Sequence, residues 1–327
     1  MSMITLSAYK FQLTHYNKDS EMTEYYLVND ISGKSFFDII SEFCSTYKDY
    51  ESDESEKKVF KSSIIDSFKE YDNGDSKLNY SAIMGRTNTG EWGYTRDIVD
   101  PDSGDVVYTK PADLADVLPF LFSVAMPYEE ESANKAIAGI IMFQNLGVYG
   151  MKTAFLKHLR QYLSDNYPDV TLEIYPLCPL TFARHIMDKG ILKEVSIVKN
   201  IIPADTANGI GLCTTNGYQE LTFKGIDGLT KNKKQELSNF ILSGNGNIHE
   251  ILQLPDVNFD NVKYKFKIGH RTVTLNLNNL DRLNVSEEVL NTAVGKDGHP
   301  IPEKLKVYFG QMYKDYAPYI DLCLKGD

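Results

Sequence analysis

The chain has 327 residues and a formal net charge of −11, so an evenly charged surface would repel a polyanion, and nucleic-acid contact would need lysines gathered on one face. Apolar residues at 42% and charged residues at 24% exclude a disordered chain, and no window reaches the apolar length of a membrane span. Four cysteines without a C-x-x-C pair, and a start, MSMITLSAYKFQL, without a signal peptide's basic and apolar layout, give the expectation of a cytoplasmic protein with reduced thiols.

Residues 3–13 alternate as an opening strand, which 24–28 extends as a hairpin. SFFDIISEFCSTY (35–47) then sets Phe36, Ile39, Ile40, Phe43 and Tyr47 at helical spacing. The charged run DYESDESEKK (49–58) reads as a solvated loop or a helix start. From 58 to 126, KLNYSAIMGR, GEWGYTRDIVD and DVVYTK are separated by the turn formers NTG and DPDSG, which predicts an antiparallel meander. DVLPFLFSVAMP (116–127) closes it as a buried strand interrupted at Pro119.

In the centre, AIAGIIMF (136–143) reads as a buried strand and VYGMKTAFLKHLRQYL as a helix with Phe155, Leu156, Leu159, Tyr162 and Leu163 inward. VTLEIYPL (170–177) and ILKEVSIVK (191–199) are strands, with a short helix over 179–190 between them ending at Gly190. After Pro203, ADTANGIGLCTTNGY reads as a long loop, YQELTFKG as a strand and 231–242 as a helix. VKYKFKIGHRTVTLNL (262–277) is a hairpin turning near Gly269-His270, and VSEEVLNTAV and EKLKVYFGQMYKDYAPYIDLCL read as helical. The fold class expected is α+β, with an antiparallel β-rich N-terminal half, a layered α/β central region and a mixed C-terminal part. Three regions follow: 1–130, 131–203 and 204–327.

Lys152-Thr153 behind two glycines invites comparison with a phosphate-binding loop. That loop needs four residues between its glycines and the lysine directly after the second. Here Gly147 and Gly150 are too close and Met151 intervenes, so a strand-to-helix turn with positive φ is the expectation. A metal-dependent nuclease would draw on Pro168-Asp169 and Glu173, but Tyr175 stands where the lysine belongs; Lys199 on the next strand could substitute, and Mg2+ would be the cofactor. DPDSGD lacks the glycine and glutamate of a calcium loop and reads as a hairpin turn. The six histidines form no zinc spacing, and no G-x-S-x-G occurs.

The strongest local charge is VKYKFKIGHR. Lys263, Lys265 and Lys267 share one strand face, and His270 and Arg271 sit at the turn. Such a row can grip a phosphate backbone, or it can protect an edge strand from aggregation. Lys152, Lys157, His158 and Arg160 form a second basic face on the central helix.

The order of N-terminal strand and helix, β meander, then strand, LGVYG, helix, LEIYPL, helix and strand resembles uncharacterised bacterial families carried on mobile elements and in phage-defence neighbourhoods. The resemblance spans the first two-thirds of the chain and implies no catalytic residue. Together with the lysine strand it gives the expectation of a non-catalytic binding component that contacts nucleic acid or a partner protein. The Mg2+-dependent nuclease, and an acidic structural or inhibitory protein acting on a basic partner, are the alternatives. No membrane partner is expected.

Overall fold

The computed structural model describes residues 3–17, 21–70, 80–127, 136–177, 186–202, 204–211, 216–225, 229–243, 259–268, 271–276 and 285–317. About half of these are strand and a quarter helix, so the protein is a mixed α+β chain of β-rich character. It divides into two compact units. One comprises Met1–Ile4, Lys10–Ile174 and Ala293–Asp327, and the other Thr5–Tyr9 and Tyr175–Thr292.

In the first unit, β1 (Ile4–Asn17) pairs antiparallel with β2 (Met22–Tyr25), as expected. Helix α1 (Phe36–Thr46) starts at a capping box: the Ser35 hydroxyl accepts the Asp38 N–H, and the Asp38 carboxylate accepts the Ser35 N–H. Phe36, Ile39, Ile40 and Phe43, at the spacing read from the sequence, are fully buried. The charged run that follows is neither loop nor helix start but a hairpin, β3 (Glu51–Asp53) to β4 (Lys58–Glu70). Asp53 makes it turn, its Oδ1 accepting the N–H groups of Ser55 and Glu56.

The meander continues through β5 (Tyr80–Glu91), the β6 (Arg96–Val99) and β7 (Val106–Lys110) ribbon, and β8 (Asp116–Pro127). DPDSGD is the β6–β7 turn, with Asp100 accepting the N–H groups of Asp102 and Ser103. Pro119 does not break β8, which pairs with β5 along its whole length. Its missing N–H is tolerated because β9 (Ala138–Leu146) pairs with β8 only from Phe122 to Ala125. The ladder also demands a glycine: a Cβ on Gly85 would lie 2.2 Å from Cζ of Phe122. Strand order is β1–β9–β8–β5–β4–β3.

The residues after β9 form a further hairpin, because β10 (Tyr149–Gly150) folds back on Leu146 and Asn145. Helix α2 (Lys152–Asn166) begins only after it and buries Phe155, Leu156, Leu159, Tyr162 and Leu163. The Phe155 ring meets Phe43 of α1, Phe122 of β8 and Phe143 of β9, with centroids 4.7 to 5.4 Å apart. Tyr162 and Tyr167 both donate to Glu42 of α1. β11 (Thr171–Pro176) follows and pairs with β1.

In the second unit the expected helix over 179–190 lies largely outside the described residues; Ile186 to Lys189 are helical and Gly190 donates to Ile186 O. The sheet runs β13–β12–β14–β15–β16, built from β12 (Ile191–Ile201), β13 (Asn216–Lys224), β14 (Asn261–Ile268), β15 (Arg271–Asn276) and β16 (Val285–Glu288). Residues 5–7 of β1 extend it beyond β16, and helix α4 (Lys231–Ser243) forms as expected. Two readings are corrected. Part of the loop after Pro203 is helix α3 (Ala204–Ile210), whose Gly211, at φ +76°, is a helix stop and not a loop marker. VSEEVLNTAV begins as strand β16, because partners on β15 and β1 override its local helical spacing. Helix α5 (Pro302–Tyr316) belongs to the first unit, where Tyr80 donates to Gly310 O and Lys306 pairs with Asp66. The expected helix beyond 317 lies outside the described residues.

Candidate functional site

β14 is an interior strand, paired with β12 on one side and β15 on the other. Edge protection therefore does not explain its lysines. Tyr264 and Phe266 are each 1% exposed on the opposite face, which forces Lys263, Lys265 and Lys267 outward. The register assembles a wider polar surface around them. Lys265 lies opposite Glu194 and Thr274, and Lys263 opposite Ser196 and Asn276. Glu220, Thr222 and Lys224 of β13 and Ser286 and Glu288 of β16 continue the same face.

This face carries four lysines against three glutamates. Lys263 pairs with Glu220 at 3.7 Å, Lys265 with Glu288 at 3.3 Å and Lys224 with Glu194 at 3.8 Å. Lys267 is exposed, with no ion pair among the described residues. Its charge and the Ser/Thr hydroxyls make the surface strongly hydrogen-bonding but close to neutral. Arg271 stands apart: its backbone is opposite Ile268, out of phase with the lysines, and its side chain lies outside the described residues, as does His270. Sequence alternation shows Lys224 and Glu220 sharing a face of β13, but only the cross-strand register brings them beside β14.

The nuclease candidates lie on separate elements. Asp169 is exposed in the turn between α2 and β11, before the strand begins, so it does not share a strand face with half-buried Glu173. Lys199 lies on β12, in the other unit, opposite Gln219. Among the described residues no three His, Cys, Asp or Glu side chains group to hold a metal ion.

The glycine junction has a different geometry from the strand-to-helix turn expected. Gly147 and Val148 form a two-residue loop, with Gly147 at φ +58° in the first position, where a hairpin turn of the II′ kind requires it. The Gly147 N–H donates to Met3 O, and Gly150 is held against Asn145, whose Oδ1 would lie 2.6 Å from an added Cβ. The Gly147 N–H and the Tyr149–Gly150 backbone are thus taken up by Met3 and by pairing with β9.

The basic face of α2 is partly consumed as well. Lys157 binds Asp53 at 2.6 Å and also Glu56, which raises the lysine's pKa and holds both carboxylates below their usual range. His158 lies flat against Phe60 at 3.9 Å and donates from Nδ1 to Ala154 O. These residues border a cavity of about 790 Å³, whose far wall carries the Arg96–Asp116 ion pair at 2.8 Å. Lys157, Lys58 and Arg96 are all engaged by carboxylates of the same wall, which leaves it no uncompensated cation. Cys44 is buried, its thiol pushed up to about 11 by desolvation, so it is a weak nucleophile. The remaining cysteines lie outside the described residues.

No family model matches the chain, and no characterised protein matches it in sequence. Among the described residues no helix is long and apolar enough to cross a membrane.

Proposed function

We propose that this protein is a non-catalytic binding component of a bacterial defence or mobile-element system, acting in the cytoplasm, and that the polar sheet face of the second unit is its contact surface. The carrying observation is the position of the lysines on an interior strand, where edge protection does not account for them. Four lysines interleaved with three glutamates suit a protein surface of mixed, complementary charge better than a polyanion, because binding a phosphate backbone depends on uncompensated cations. The layered α/β arrangement read for residues 131–203 belongs to this proposal.

Co-purification tests it. A tagged chain recovers a defined protein at low salt after nuclease treatment, and Lys263→Gln/Lys265→Gln/Lys267→Gln recovers less of it at equal folding by circular dichroism. Glutamine is chosen to avoid new repulsion with Glu220 and Glu288. Recovery unaffected by the three changes removes the proposal. Nucleic-acid contact is the second reading, favoured by Lys267, which has no ion pair among the described residues, and predicts oligonucleotide binding that weakens steeply with salt.

A further inference from the structure

A second cavity, of about 440 Å³, lies within the first unit between the β5–β8–β9 sheet and the loop that leads into α5. Gln144 of β9 forms part of its floor and is fully buried. Its Oε1 accepts the Leu121 N–H at 2.9 Å, just past the point where the β8–β9 ladder ends at Phe122. That bond fixes the amide's orientation, since a backbone N–H needs the oxygen. Nε2 is therefore a donor, buried and without a partner among the described residues. A buried unpaired amide is costly, and such groups in native proteins call for an explanation.

Nδ1 of His299 is also buried, with no hydrogen-bond partner among the described residues. Arg86 and Lys296 add two exposed cations, neither of them ion-paired among the described residues. Ile301 and Pro302, at the start of the 15-residue helix α5, close the rim; Pro302 carries no N–H, and the Ile301 and Lys304 N–H groups are bonded to Ala293 O and Ile301 O. One carboxylate is present, Asp297, and its Oδ1 is engaged by the His299 N–H at 3.1 Å. Around these donors the wall is apolar, formed by Leu121, Pro119 and Pro300.

We infer that this cavity binds a small organic acid, its carboxylate meeting Gln144 Nε2 and Arg86, its apolar body lying against Leu121 and the prolines. The volume falls within the range of small-molecule sites, and one buried amide with a guanidinium supplies the few fixed polar contacts such sites use. This site is independent of the polar sheet face.

Benzoate is the probe, titrated into the full-length protein by isothermal calorimetry and by chemical-shift changes, with benzamide as the neutral isostere and inorganic phosphate as the anion without an apolar body. Benzoate binds, while benzamide and phosphate bind at least tenfold more weakly. Arg86→Gln, an exposed change, and Gln144→Glu, which keeps the acceptor for Leu121 but replaces the donor, each weaken benzoate at least tenfold. Should Gln144→Glu fail to fold, Arg86→Gln decides alone. Equal binding of benzoate and benzamide, preference for phosphate, no binding of benzoate, or benzoate affinity unchanged in Arg86→Gln overturns the assignment.

Discussion

Phe155→Ala tests how the first unit is held together. The side chain is fully exposed on unfolding and fully buried in the fold, and its ring meets three phenylalanines from α1, β8 and β9. Truncating a buried Phe to Ala costs about 3–5 kcal/mol through lost transfer energy and the cavity left behind. The upper half of that range applies here, because three edge and tilted ring contacts go with it, each contributing roughly 0.5–1.5 kcal/mol beyond area. Total stabilities of about 5–15 kcal/mol make this a large fraction. With a urea slope of about 2 kcal/mol/M, the unfolding midpoint falls by about 2 M. Urea titration followed by far-ultraviolet circular dichroism measures it, with Val148→Ala as the control, since Val148 is 93% exposed. A loss below about 1 kcal/mol would mean that α2 does not close the aromatic core, and the account of the first unit would fail.

The buried Cys44 thiol, raised from 9.0 to about 11, contributes stability that is present below pH 9 and lost as pH rises from 9 toward 11. Alkylation at pH 8.5 read residue by residue by mass spectrometry leaves Cys44 unlabelled in the native protein and labels it in urea; equal labelling rates contradict its burial. Asp53 and Glu56, both held below their usual range first of all by Lys157, contribute stability that is present above the ordinary carboxylate range and lost as pH falls below it. Lys157→Met therefore lowers the urea midpoint at pH 6 more than at pH 3, and an equal loss at both values refutes the linkage. Incubated with Mg2+, DNA and RNA remain intact; cleavage that disappears in Glu173→Ala would restore the nuclease reading.

Local chemistry made much of this fold legible before any coordinates. The inward residues of α1 and α2 follow from helical spacing alone, and the β14–β15 hairpin from alternation. Where the reading departs from the structure, competing signals share the same residues. Gly147 and Gly150 mark a turn in either case, and only the pairing of Tyr149 with Leu146 distinguishes a hairpin from a strand-to-helix junction. Gly209 and Gly211 resembled loop residues, although Gly211 terminates α3. The polar face was half visible. Lys263, Lys265 and Lys267 alternate in one strand, whereas Glu194, Glu220 and Glu288 join them through registers between strands far apart in sequence. Gln144 gave no signal at all, because its unpaired amide arises from where the β8–β9 ladder stops.

The central claim is that the near-neutral lysine and glutamate face recognises protein and not nucleic acid. Its most direct measurement is the affinity of the recovered partner for the wild type and for Lys263→Gln/Lys265→Gln/Lys267→Gln across salt, beside oligonucleotides under the same conditions. The account predicts partner binding that the three changes weaken at least tenfold, with a shallow salt dependence, and no oligonucleotide binding near physiological salt. Tight oligonucleotide binding with a steep salt slope that the same changes abolish would contradict it.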